Sequence, residues 1–125
     1  MPGIARLSVF ALDCRDPREL AAFYGAITGW NIDTDDGEWV KLRSDGGATL
    51  AFQRAPEHEP PVWPSADHPQ QAHLDFDVND LDISEAKVIA LGARKADWQP
   101  EPNAFRVFLD PAGHPFCLCA DWGQP

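Results

Sequence analysis

Positive charge, cysteine and long apolar runs are all in short supply in this sequence. Its 125 residues hold 10 Lys+Arg against 20 Asp+Glu, for a formal net charge of −10 and a pI near 4.5. Phosphate binding needs a Lys/Arg footprint, so this balance argues against nucleic-acid and anionic-membrane partners. No stretch approaches the roughly 20 apolar residues of a membrane span. Three cysteines, an odd number, do not make a disulfide framework and read as reduced thiols. Met1 to Leu12 lacks the basic n-region and small-residue cleavage site of a signal peptide. Together these absences predict a cytoplasmic protein. There is also no P-loop, no Gly-rich dinucleotide fingerprint and no nucleophile elbow. What is present is ordinary for one globular domain: 44% hydrophobic and 24% charged residues, enough to exclude wholesale disorder.

An internal repeat organises the chain. Leu7–Asp16 (LSVFALDCRD) aligns with Gln71–Asp80 (QAHLDFDVND) at an offset of 64 residues. Phe10 falls on Leu74, Leu12 on Phe76, Asp13 on Asp77 and Asp16 on Asp80. Both segments alternate as half-buried strands do, and both end in an aspartate that opens a helical pattern. Asp16 is a suitable N-cap, with Pro17 at N1, Glu19 at N3, an apolar set of Leu20, Phe23, Tyr24 and Ile27, and Gly29 as the stop. Asp80 opens the second helix, in which Ile83, Ala86, Ile89 and Ala90 form the apolar stripe before Gly92.

Short strand-like runs follow each helix: Trp39–Arg43 and Thr49–Gln53, then Arg106–Leu109 and Phe116–Ala120. Their turns are Asp45-Gly46-Gly47 and Asp110-Pro111-Ala112-Gly113. Each half therefore reads as strand, helix, then two or three antiparallel strands. Module one spans 1–56 and module two 70–125, joined by a proline-rich connector over 57–69. Trp63 lies within that connector, where a large aromatic packs onto the domain and could cover a pocket mouth.

These features resemble the vicinal oxygen chelate superfamily, which includes glyoxalase I, bleomycin-resistance proteins and extradiol dioxygenases. The carrying residues are the Asp16-Pro17-Arg18-Glu19-Leu20-Ala21-Ala22-Phe23-Tyr24 run with Ile27, Gly29 and Trp30 at its close. The second copy adds His73-Leu74-Asp75-Phe76-Asp77-Val78, Ala90-Leu91-Gly92-Ala93, and Asp110-Pro111-Ala112-Gly113-His114-Pro115-Phe116. The likeness is nearest to the small glyoxalase-like proteins of that superfamily. It implies an α+β fold of two βαβββ modules with pseudo-twofold symmetry, forming a cupped mixed sheet. It also implies a homodimer.

Strand alternation then assigns faces. Leu74, Phe76 and Val78 pack on helices, which leaves His73, Asp75 and Asp77 on the other face. Charges are costly to bury unpaired, so that face is either solvated or the lining of a polar site. Cys117 and Cys119 alternate with Phe116 and Leu118 and share the face of His73, whereas Cys14 has packed-face parity. His114 belongs to a turn, and His58 and His68 lie in the connector.

Metal-dependent relatives hold a divalent ion with a His or Gln from each first strand and a Glu from each last strand. The resemblance carries these positions onto Val9, His73, Cys117 and either Ala51 or Gln53. His73 is a clear donor and Val9 cannot be one, so an empty or water-filled centre is expected rather than a divalent metal. If a metal binds, His73 and Cys117 are its candidates. His73 and Asp75 are the candidate catalytic pair, with Asp13, Trp63, Asp77, Cys117 and Cys119 as candidate ligand-binding residues. Five tryptophans, Trp30, Trp39, Trp63, Trp98 and Trp122, are many for so small a domain. A cavity lined by some of them in an acidic chain favours planar or cationic molecules. The expected function is small-molecule binding of the bleomycin-resistance type, without a cofactor. The alternative is a glyoxalase-like lyase, isomerase or dioxygenase using a metal held partly by His73.

Overall fold

The computed structural model describes residues 3, 4 and 6–120. The chain divides into two compact units, Met1–His58 and Glu59–Pro125. The first contains β1 (Val9–Cys14), α1 (Pro17–Thr28), β2 (Asn31–Asp35), β3 (Trp39–Arg43) and β4 (Thr49–Arg54). The second contains β5 (Leu74–Asp77), α2 (Leu81–Leu91), β6 (Arg94–Lys95), β7 (Phe105–Leu109) and β8 (Pro115–Cys119). The sheets are ordered β1-β4-β3-β2 and β5-β8-β7-β6. In each, the first strand runs parallel to the last and the remaining neighbours are antiparallel. The fold is thus α+β, two βαβββ-like modules with one four-stranded mixed sheet each. Trp122 lies outside the described residues.

Both helices start and stop where their capping residues dictate. The Asp16 carboxylate accepts the Glu19 N–H at 3.1 Å, and that of Asp80 accepts the Ile83 N–H at 2.9 Å. Gly29 and Gly92 close them in the left-handed region, with φ of 78° and 116°. Helix α1 buries Pro17, Leu20, Ala21, Phe23 and Tyr24. Tyr24 stacks on Phe52 of β4 with ring centroids 5.7 Å apart, and Val40, Leu42 and Leu50 complete this core.

The expected stripe of α2 is wrong. The helix buries Leu81 and Val88, while Ile83, Ala86, Ile89 and Ala90 are exposed. Ion pairs accompany this rotation. Arg106 of β7 donates to Asp82 at 2.8 Å and Glu85 at 3.3 Å, and Lys95 of β6 reaches Glu85 at 3.1 Å. Glu85 is thereby held toward the sheet, and Leu81 and Val88, one heptad apart, come with it. Strands β2 and β6 escaped the sequence pattern because every residue in both is exposed. They are polar edge strands with no buried face to enforce alternation.

Candidate functional site

The parallel pairing of β5 with β8 sets Asp75 opposite Cys117 and Asp77 opposite Cys119. Strand β5 begins at Leu74, one residue later than the counterpart of the start of β1, so His73, expected within the strand, sits on its lead-in. His73 Nε2 lies 3.3 Å from Asp75 Oδ1, with both side chains substantially exposed. Cys117 is buried beneath them. Its thiol is pushed up to about 12, first by burial, then by the neighbouring Asp75 charge and by a hydrogen bond to that carboxylate. The thiol therefore stays protonated at neutral pH and donates to Asp75. One donor atom from each of His73, Asp75 and Cys117 falls within 4.8 Å of the others.

These groups lie in a cavity of about 380 Å³, whose aromatic side is formed by Trp63, Trp98 and Phe105. The two indoles stack with centroids 5.2 Å apart and planes 24° from parallel. Gln99 fastens the segment carrying Trp98 to β7. Its side-chain N–H donates to the carbonyls of Val107 and Ala96 at 2.8 and 2.9 Å, and its oxygen accepts the Val107 N–H at 2.9 Å. Val107 and Cys119 contribute to the walls.

Of the expected residues, His73, Asp75, Trp63, Cys117 and Cys119 come together here. Asp77 shares the strand but lies outside the cavity lining, and Asp13 belongs to the other module, exposed on β1 opposite Gln53. Trp98 and Gln99 were missed as site residues. Trp98 stood out in the sequence only as one tryptophan among several, and Gln99 carries no signal. His114 does lie in the turn, its N–H accepted by Asp110 Oδ1 at 3.0 Å. Cys14 is buried, with its thiol 3.6 Å from the Gln53 carbonyl.

The strand ladders settle which positions correspond between modules. Ala11 pairs with Ala51 as Asp75 pairs with Cys117, so the counterpart of Cys117 is Ala51 and that of His73 is Val9. Two of the four positions at which metal-dependent relatives carry ligands thus offer no donor atom. A third carries the Cys117 thiol where those relatives carry a carboxylate. The family's four-ligand metal set does not fit this chain.

The chain matches the Glyoxalase-like domain family over residues 9–119 and belongs to that family. No curated protein matches it. Among solved structures it resembles a glyoxalase/bleomycin resistance protein/dioxygenase family enzyme from Burkholderia phytofirmans. That match has 22% identity and a TM-score of 0.70, covering 91% of this chain and 97% of the other. It is also similar to a lactoylglutathione lyase from Agrobacterium tumefaciens, at 23% identity and a TM-score of 0.61, covering 98% and 99% of the two chains. The bleomycin-binding protein of Streptomyces verticillus, solved with copper(II)-bleomycin, matches at 17% identity and a TM-score of 0.57, covering 96% and 98%. At these identities the likeness establishes the fold. No helix among the described residues is long and apolar enough to cross a membrane.

Proposed function

We propose that the module-two cavity binds a small planar molecule, aromatic or cationic, without a metal. The observation carrying this reading is the paired indoles of Trp63 and Trp98 lining the same cavity as the His73–Asp75 pair. Indole faces attract flat rings and cations, and the carboxylate adds to the preference for positive charge. His73 Nε2 lies 3.3 Å from Asp75 Oδ1, close enough for the imidazole and the carboxylate to act on one bound molecule. This is also the arrangement of a proton-transferring pair, so a bound molecule with an acidic C–H is a candidate substrate.

The test is a tryptophan-fluorescence titration with N-methylquinolinium and with neutral quinoline. Both should bind, the cation more tightly, and Trp98→Ala should weaken each by about tenfold, on the scale of one aromatic contact. Unchanged affinity in both Trp63→Ala and Trp98→Ala would remove the proposal.

A second reading, a lyase, isomerase or dioxygenase using a divalent metal, draws on the proximity of His73, Asp75 and Cys117. Elemental analysis of purified protein separates the two, since a stoichiometric divalent ion favours the second. We also propose a homodimer, to which the exposed Ile83 and Ile89 of α2 lend an apolar face. Sedimentation as a monomer at micromolar concentration counts against it.

A further inference from the structure

Module one has a cavity of its own, of about 590 Å³, bordered by Arg6, Ser8, Lys41, Ser44, Gly47 and Thr49. Two of its wall positions correspond to wall positions of the aromatic cavity in module two. Lys41 pairs with Ala51 as Val107 pairs with Cys117, and Thr49 heads β4 as Pro115 heads β8. The chemistry is reversed. Where module two offers indoles and a carboxylate, module one offers a guanidinium, an ammonium and hydroxyls.

Three observations give this cavity a preference. First, no acidic residue among the described residues lines it, in a chain whose net charge is −10. Second, its cations are poorly neutralised. Arg6, like Arg15, Lys87 and Arg94, has no ion-pair partner among the described residues. Among the described residues Lys41 has only Asp33, at 3.7 Å, and shares it with Arg43 at 3.8 Å, both longer than a charge-assisted hydrogen bond. Third, Thr49 is only 7% exposed and its Oγ1 has no hydrogen-bond partner, the one such buried side-chain atom among the described residues. Buried hydroxyls are ordinarily partnered, and Thr49 lines this cavity; the oxygen itself is closed to solvent, so donating into the cavity takes a turn of its χ1. The Ser44 hydroxyl, in contrast, is already used by its own turn, donating toward the Gly46 and Gly47 carbonyls.

We infer that module one carries an oxyanion site, in which Arg6 and Lys41 bind the carboxylate or phosphate group of a small molecule and Thr49 donates its hydroxyl to it. An Arg fork supplies paired N–H donors in the geometry of such a group, and Lys41 adds a second positive charge. This site is independent of the aromatic cavity and of the reading given for it.

The test is a titration of the full chain, followed by amide NMR, with sodium phosphate, sodium acetate and sodium chloride at matched ionic strength. Phosphate, acetate or both should shift the amides of Ser8, Lys41, Gly47 and Thr49 saturably, while chloride leaves them in place. A response to phosphate alone points to phosphate esters, and a response to acetate extends the class to carboxylates. Arg6→Gln and Lys41→Gln should each weaken binding about tenfold. Thr49→Val, which keeps the shape and removes the hydroxyl, should weaken it about threefold. Arg94→Gln, an exposed cation on β6, controls for the change in net charge and should have no effect. Equal shifts with chloride, silence with both oxyanions, or unchanged affinity in folded Arg6→Gln would overturn the inference. Arg6 is exposed, so that variant does not depend on repacking.

Discussion

Asp75 connects the groups of the module-two site, lying 3.3 Å from His73 Nε2 on one side and accepting from the Cys117 thiol on the other. His73 is largely exposed, so His73→Ala should weaken N-methylquinolinium binding while changing stability by no more than about 0.5 kcal/mol, as surface substitutions do. Thermal denaturation beside the fluorescence titration checks both halves of that statement. The Cys117 thiol, raised from its ordinary 9.0 to about 12, should resist iodoacetamide at pH 8. Asp75→Asn removes the charge that opposes the thiolate, so it should lower the pKa and speed alkylation of Cys117, read peptide by peptide in a mass spectrometer. The same shift has a consequence for stability. Between pH 9.0 and about 12 the folded chain keeps a proton that the unfolded chain releases, so stability falls as pH rises through that window. Below it both states are protonated and the slope vanishes. Cys117→Ala should flatten the alkaline decline, which denaturant melts at successive pH values would show. Strand alternation made the His73, Asp75 and Cys117 face legible beforehand. Trp98 and Gln99 were not legible, because a loop has no period and the Gln99 clamp depends on where β7 passes.

At the level of elements, the caps were the most readable features, since a side chain three residues from its N–H partner acts locally. Asp16→Ala and Asp80→Ala should each cost about 1 kcal/mol, measurable by denaturant unfolding. The buried face of α2 was not readable in that way. Apolar residues occur on both sides of this helix, and the side that is buried goes with contacts made across space, among them those of Arg106 and Lys95. Leu81→Ala should cost about 2 kcal/mol or more, whereas Ile83→Gln and Ile89→Gln should stay within about 0.5 kcal/mol in the monomer. The reverse order would restore the stripe that the sequence suggested. The turn before β8 is equally constrained. Gly113 has φ of 93°, and a Cβ there would collide with the ring of Pro60. Gly113→Ala should therefore destabilise by about 1–3 kcal/mol, visible as a lowered melting temperature.

Over the whole molecule, a charge of −10 sets up a field that attracts cations to any cavity lacking its own positive groups. Binding of N-methylquinolinium should weaken as sodium chloride is raised from 20 to about 500 mM, while quinoline binding holds steady, because screening acts on the charge and not on the ring. The repeat at 64 residues anticipated the common strand order of the two modules, yet it did not reveal how far their cavities had diverged. Repeats are recognised by alternation and helix caps, and the exchanges of Val9 for His73, Ala11 for Asp75 and Ala51 for Cys117 leave both intact. The matched ladders turn this into a blueprint for transplantation. Installing Val9→His, Ala11→Asp and Ala51→Cys together would rebuild in the first half the trio that the second half carries. Whether the grafted thiol then resists alkylation as its template does would reveal how much of that behaviour is portable with the scaffold.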